Sequence, residues 1–203
     1  MADYLKRPAA EPGMRIGLFG GSFNPAHDGH RLVVLECLKR LRLDVIWVLV
    51  SPGNPLKNRH ELAPISGRIE QTKALLAHQN VVVTAFEAER GFTYSYQTVE
   101  YLKSALPGVN FVWIMGADSL QNFDHWERWE EIANMVPMAI YARPGSTFRA
   151  TRSKAAVALS RYRIPEDAAE TLAGRDPPAW VYLRGVMSPQ SSSAIRKSRG
   201  SST

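Results

Sequence analysis

A chain of 203 residues with 45% hydrophobic side chains is long enough to bury one sizeable core without covalent staples. Its formal charge of +6 and isoelectric point of about 9.6 favour anionic partners. A single cysteine, Cys37, excludes a disulfide scaffold, and the longest strongly apolar stretch, residues 45–50, is far too short to span a bilayer.

Residues 1–13 hold Asp3, Lys6, Arg7, Pro8 and Glu11 with no apolar central run, so they do not read as a secretory leader. The expectation is a flexible tail over 1–13, a single domain over 14–197 and a second flexible tail over 198–203, in a soluble cytoplasmic protein. Short apolar runs at 15–19, 45–50, 81–86, 111–115, 138–142 and 181–183 predict strands covered on both faces. Helical patterns at 30–42, 65–78, 94–106, 129–135 and 151–159 lie between them. In the first of these, Cys37 sits among apolar positions and reads as core packing. Such alternation predicts an α/β fold, a doubly wound and mainly parallel sheet with flanking helices. Ligands bind such sheets at the carboxyl ends of the strands, so the polar segments that follow strands are the places to search. Residues 146–178 fit this scheme least; a helical excursion with Lys154, Arg161 and Arg163 on a solvated face is expected there.

The segment after the first strand reads Gly20-Gly21-Ser22-Phe23-Asn24-Pro25-Ala26-His27-Asp28-Gly29-His30. No Gly-Lys-Ser/Thr follows its glycines, so it is not a Walker A loop. Gly17, Gly20 and Gly21 do not make a dinucleotide-binding fingerprint, and Ser51-Pro52 stands where that fold needs an acid. His27 and His30 are three apart rather than four and lack a nearby third ligand, which disfavours a zinc site. Phosphate binding remains. Gly20 and Gly21 let an anion approach the backbone, the following helix contributes its positive end, and two imidazoles on one helical face can donate to phosphate oxygens. A glycine turn capped by Asn24 and Asp28 is the structural alternative.

Further along, Ser51-Pro52-Gly53-Asn54-Pro55-Leu56-Lys57 is a proline-stiffened loop with one point charge, Lys57. Thr93-Tyr94-Ser95-Tyr96-Gln97-Thr98 opens a helix. Gly116-Ala117-Asp118-Ser119 follows the fourth strand, where Asp118 can accept from ribose hydroxyls or cap a helix. Asp124-His125-Trp126-Glu127 brings a ring that can stack on a flat substrate or join Trp129 in a core. Arg143-Pro144-Gly145 follows the fifth strand, and Arg143 suits a phosphate or an ion pair equally. Near the end, the hydroxyls of Ser191-Ser192-Ser193 precede Arg196, whose fork fits phosphate oxygens. Basic residues are otherwise scattered, apart from Arg196, Lys197 and Arg199, and no aromatic-interleaved basic run marks a nucleic-acid surface.

Together these segments resemble the bacterial nicotinate-nucleotide adenylyltransferase family of the nucleotidyltransferase superfamily. The first loop carries its H-x-G-H signature, and the matches run from Arg15 to Arg196. Two departures are Gln190, where isoleucine leads the family's last motif, and Ser193 in place of threonine; Gln97 likewise stands where an acid is common. The resemblance implies a Rossmann-like sheet that holds ATP through Gly20, Gly21, Ser22, Phe23, His27, His30, Gly116, Asp118, Ser192, Ser193 and Arg196. It implies a pyridine mononucleotide site with Lys57, Thr93, Trp126 and Arg143, and charge stabilisation by His27, His30, Lys57 and Arg196. The implied reaction moves AMP from ATP to nicotinate mononucleotide, with Mg2+ carried by ATP rather than by a protein cage and with no resident metal. Neither a nucleic acid nor a membrane is expected as a partner; a homo-oligomer is left open. The alternatives are adenylylation of nicotinamide mononucleotide or of pantetheine phosphate and, in another class, a basic nucleotide- or RNA-binding module without activity.

Overall fold

The computed structural model describes residues 2–53, 62–142, 147–186, 188, 190, 192 and 194–196. Seven strands form one sheet in the order β3-β2-β1-β4-β5-β7-β6. They are β1 (Arg15–Gly21), β2 (Val45–Val50), β3 (Val81–Thr84), β4 (Asn110–Gly116), β5 (Met138–Tyr141), β6 (Arg163–Ile164) and β7 (Trp180–Leu183). Every pairing is parallel, so the expected mainly parallel sheet is wholly parallel.

The helices include α1 (Asp28–Arg40), α2 (Ile65–Leu75), α3 (Phe86–Glu89), α4 (Ser95–Ala105), α5 (Ala117–Leu120), α6 (Trp129–Met135), α7 (Thr147–Thr151) and α8 (Lys154–Ala158). Strand residues alternate between two cores. Ile16, Leu18, Trp47, Leu49 and Trp113 face a layer that includes Val99 of α4, Ile132 of α6 and Ala155 of α8. Phe19, Ile46, Val48, Val50 and Val112 face Val33, Val34 and Cys37 of α1, Ile69 of α2 and Leu172 of the 3-10 stretch Glu166–Gly174. This period of two, with helices over both faces, makes the sheet doubly wound. Cys37 is wholly buried, and burial pushes its thiol up to about 12, which fits the core role read from its helical stripe.

Several boundaries differ from the sequence reading. The run at 81–86 ends as a strand at Thr84, and Phe86 begins α3. The pattern at 151–159 is two short helices, because Ser153 caps α8 by accepting from the Ala156 N–H at 3.3 Å. The unexplained stretch 146–178 supplies the edge strand β6, whose two residues pair with Trp180 and Val181. A two-residue strand is too short to leave a periodic signal. Arg163, expected on a solvated face, is exposed and lies over the rings of Trp180 and Tyr182. The N-terminal segment lies along β3, where the Tyr4 carbonyl accepts from the Ala85 N–H at 2.7 Å. Among the described residues no helix is long and apolar enough to cross a membrane.

Candidate functional site

The strand order reverses between β1 and β4. β1 stays paired with β2 through Gly20↔Leu49 and Gly21↔Val50, but its ladder to β4 stops at Phe19↔Ile114. From there β4 continues beside β5 to Gly116↔Tyr141. A crevice therefore opens at the carboxyl ends of β1 and β4, where this fold class binds ligands. Gly20 and Gly21, read from sequence as loop residues, are the last residues of β1. Gly20 is nevertheless exposed, because no β4 residue pairs with it.

The turn from β1 into α1 is held in detail. Phe23 takes a left-handed conformation with φ 46° and is buried to 1% exposure. Its ring meets Phe19 edge-on, 5.7 Å between centroids, and lies 4.9 Å from the His30 ring. His30 falls on the buried stripe of α1 with Val33, Val34 and Cys37, so the helix period itself turns the imidazole inward. His27 caps the helix. Its Nδ1 accepts from the Gly29 N–H at 3.1 Å, and His30 Nδ1 accepts from the His27 N–H at 3.2 Å. Each neutral ring therefore carries its proton on Nε2, which fixes which nitrogen can donate. The ring centroids are 3.9 Å apart, and His27 and His30 are 4% and 9% exposed.

The spacing His-x-Gly-His has a steric reason. A Cβ on Gly29 would stand 2.9 Å from Cε1 and Nδ1 of His27, so any larger residue would push the capping ring aside. The first N–H groups of α1 are also already engaged. His27 takes that of Gly29, and Gln190 Oε1 accepts from the Asp28 N–H at 3.1 Å. The helix end thus offers its field rather than bare amides, and the imidazole Nε2–H groups are the donors beside it.

The C-terminal motif is folded onto this turn. Ser192 Oγ donates to the Pro25 carbonyl at 2.9 Å, and Arg196 Nη1 donates to the Asn24 carbonyl at 2.7 Å. Gln190, a departure in the sequence, substitutes a polar tie for an apolar contact. The chain reaches this point from β7 along a second set of anchors. Glu166 Oε1 accepts from the Arg184 N–H at 2.6 Å and from Arg40 Nη2 at 2.7 Å, and the Tyr141 hydroxyl donates to the Val186 carbonyl at 3.0 Å. Burial pushes the Glu166 carboxyl up, but the hydrogen bonds and charges of Arg40 and Arg184 together outweigh it and hold the carboxyl below the usual carboxylate range.

Arg68 went unread in the sequence. It is 2% exposed and donates to three carbonyls: Ser22 at 2.7 Å, Ser51 at 2.9 Å and Ala63 at 2.9 Å. One guanidinium thus joins the β1 turn, the end of β2 and the approach to α2. Burial pulls its pKa below the ordinary arginine value. Within α2, Arg68 looks like any helical arginine; only the long-range carbonyls reveal it.

On the other side of the crevice, Gly116 ends β4 buried and Asp118 is exposed on α5. Trp113 lies beneath Gly20, its ring 3.5 Å from where a Cβ would stand. Trp126 meets Trp113 edge-on at 6.2 Å and Phe123 at 5.4 Å, so it is half-buried against a core that borders the crevice. Trp129 packs on Phe123, as the core reading expected. Thr93 is exposed at the start of α4, and Gln97 Oε1 accepts from the N–H groups of Thr93 and Tyr94 at 2.9 and 3.0 Å. The amide thereby does the capping that an acid would do at that position. Lys57, Arg143 and Ser193 lie outside the described residues. Among the described residues no group of three or more His, Cys, Asp or Glu could hold a metal ion.

The Cytidylyltransferase-like family matches residues 18–198. A relative from Rhizobium johnstonii, named a probable nicotinate-nucleotide adenylyltransferase, is 47% identical over 189 residues, covering 93% of this chain and 95% of its own. One from Methylorubrum extorquens bearing the same name is 50% identical over 183 residues, covering 90% and 99%. The chain belongs to the nicotinate-nucleotide adenylyltransferase family. The fold is also that of a solved Plasmodium falciparum nicotinic acid mononucleotide adenylyltransferase complexed with NaAD, with a TM-score of 0.67 at 18% identity over 91% of this chain and 83% of that one. A second structure of the same enzyme, complexed with APC, superposes with a TM-score of 0.64 over the same shares at 18% identity.

Proposed function

We propose that this chain transfers AMP from ATP to nicotinate mononucleotide, giving deamido-NAD and pyrophosphate in the synthesis of NAD. The observation that carries the reading is the pair of buried imidazoles, both with the proton on Nε2, at the mouth of the β1–β4 crevice. The attacking group is the mononucleotide's own phosphate, ionised at neutral pH, so the reaction needs no general base on the protein. Its oxygen attacks the α-phosphorus as the bond to the β-phosphate oxygen breaks, and pyrophosphate takes the electron pair.

Catalysis then consists of placement and charge stabilisation. His27 and His30 would donate to the reacting phosphates. Lys57, Ser192, Ser193 and Arg196 would hold the leaving pyrophosphate, and Gly20, Gly21, Ser22 and Phe23 would let it approach the backbone. Gly116 and Asp118 would receive the adenosine ribose; Thr93, Trp126 and Arg143 would receive the mononucleotide. Mg2+ enters on ATP as part of the substrate and supplies charge neutralisation on the phosphates. A basic chain suits so anionic a pair of substrates.

The test is pyrophosphate release from ATP with nicotinate mononucleotide, nicotinamide mononucleotide or pantetheine phosphate as acceptor. Fastest turnover with nicotinate mononucleotide is expected. Preference for either other acceptor would replace the substrate assignment, and no release with any would favour a binding module.

A further inference from the structure

Both ends of α1 meet the same distant segment of the chain. At its start, the Asp28 N–H donates to Gln190, while Ser192 and Arg196 bond the Pro25 and Asn24 carbonyls just before it. At its other end, Arg40 grips the chain as it leaves β7. Arg40 Nη1 donates to the Arg184 carbonyl at 2.6 Å. Its Nη2 donates at 2.7 Å to Glu166 Oε1, which also accepts from the Arg184 N–H at 2.6 Å. A partly buried ion pair thus holds both backbone groups of one residue.

Between these ends the chain runs as a strap back along α1. Glu36 Oε2 stands 3.7 Å from where a Cβ on Gly185 would be, and Ser188 Cβ stands 3.5 Å from the corresponding point on Gly29. Gly29 and Glu36 are seven apart, two turns on one face of the helix. Three residue steps from Gly185 to Ser188 reach at most about 10–11 Å. The rise of α1 from Gly29 to Glu36 is about 10.5 Å. The strap has no length to spare for a loop, so a displacement at Arg184 is passed on to the C-terminal motif. Arg184, Gly185 and Val186 are exposed, so specific bonds rather than apolar burial set the path. The Tyr141 hydroxyl donates to the Val186 carbonyl, and a Cβ on Gly185 would stand 2.5 Å from that hydroxyl, so a larger residue would push the strap off its track.

We infer that Arg40 and Glu166 are positioning residues for ATP. By fixing Arg184 they set, through the strap, where Ser192 and Arg196 stand beside the phosphate turn. The inference rests on the proposed role of Ser192 and Arg196 at the leaving pyrophosphate. Helix α1 then carries the imidazoles at one end and, at the other, the clamp that places the groups working with them.

The test is a double-mutant cycle read as the Kd for ATP, by calorimetry on the full chain without acceptor. Wild-type ATP binding checks the reading beneath the inference, and the variants check the inference itself. Glu166→Ala should weaken ATP binding about tenfold. Glu166→Gln, whose amide oxygen can still accept from the Arg184 N–H, should restore most of the loss. Two glycines inserted after Val186 lengthen the strap by about 7 Å and delete none of its contacting groups. That insertion should weaken ATP binding about as much as Glu166→Ala, and the two together should do little more, because a slack strap no longer transmits the clamp. The Kd for nicotinate mononucleotide should stay at its wild-type value, whereas general loss of fold would raise both. With wild-type ATP binding intact, the inference alone is overturned by any of three results: either single change leaves the Kd for ATP as it was, the two effects multiply to about a hundredfold, or mononucleotide binding falls equally. A wild type that does not bind ATP would overturn the proposed reaction as well.

Discussion

At the β1–α1 turn, His27 and His30 are 4% and 9% exposed and each Nδ1 is tied to a backbone N–H. Across the crevice, Thr93 is exposed and Trp126 is half-buried, its ring set edge-on against Trp113 and Phe123. In the proposed reaction the β1–α1 turn is the phosphate side, and it is built to fixed geometry, with Arg68 and the C-terminal motif bracing it from outside. The ring side is built as a platform. The difference fits the chemistry. Charge developing at phosphorus is stabilised only by donors already in position, whereas a flat ring tolerates small displacements on an aromatic face.

Five substitutions test this contrast. His30→Ala should lower turnover about a hundredfold or more with the fold intact by circular dichroism. Near-normal pyrophosphate release in that variant would remove the imidazole from the reaction. Arg68→Met leaves the Ser22, Ser51 and Ala63 carbonyls without their donor. It should cost about 2 kcal/mol of stability by denaturant titration and raise the KM for ATP about tenfold, with the KM for the mononucleotide much less affected. Stability loss without a change in the KM for ATP would make Arg68 a fold residue only.

Gly29→Ala should cut turnover about tenfold by displacing His27, although alanine raises intrinsic helix propensity by about 1 kcal/mol. Activity lost without stability lost is the signature; unchanged kcat would show that the capping ring can give way harmlessly. Trp126→Ala should raise the KM for the mononucleotide about fivefold, in keeping with about 1 kcal/mol of ring stacking, and leave the KM for ATP alone. Equal changes in both KM values would mean that Trp126 supports the crevice as a whole.

The smallest effect concerns pH. Thr98 Oγ1 donates to Glu87 Oε1 at 2.5 Å, and the Phe92 N–H donates to the Glu87 carbonyl, so Glu87 ties the segment before Thr93 to α4. Burial pushes the Glu87 carboxyl pKa up, and the Thr98 hydroxyl pulls it partly back. A folded-state pKa above the unfolded one means that the protonated form stabilises the fold. That contribution is complete below the ordinary carboxylate range and is lost as pH rises through the raised value. Glu87→Gln should therefore flatten the decline in Tm as pH rises above the ordinary carboxylate range, and an unchanged slope would place that pH dependence elsewhere.

Much of the fold was legible because its signals are local. Val45–Val50 is a continuous apolar run and is a central strand. The apolar positions around Cys37, among them Val33 and Leu41, mark a helix whose buried face they share. The misses have local reasons too. β6 is two residues long, and the two glycines that looked like a loop end a strand because β2 still pairs with them.

What the chain determined by itself was therefore the alternation of elements, the two-faced core and the glycine turn into α1, since periodicity and glycine chemistry act over a few residues. Tertiary structure decided which distant groups brace that loop. Arg68 reaches Ser22 across 46 positions, Gln190 reaches Asp28 across 162, and Arg196 reaches Asn24 across 172. A side chain's hydrogen-bond partner at such separation is set by how the sheet closes and where the chain returns. No local pattern encodes it, and for that reason Arg68 passed unread and the partners of Gln190 and Arg196 were not legible in the sequence.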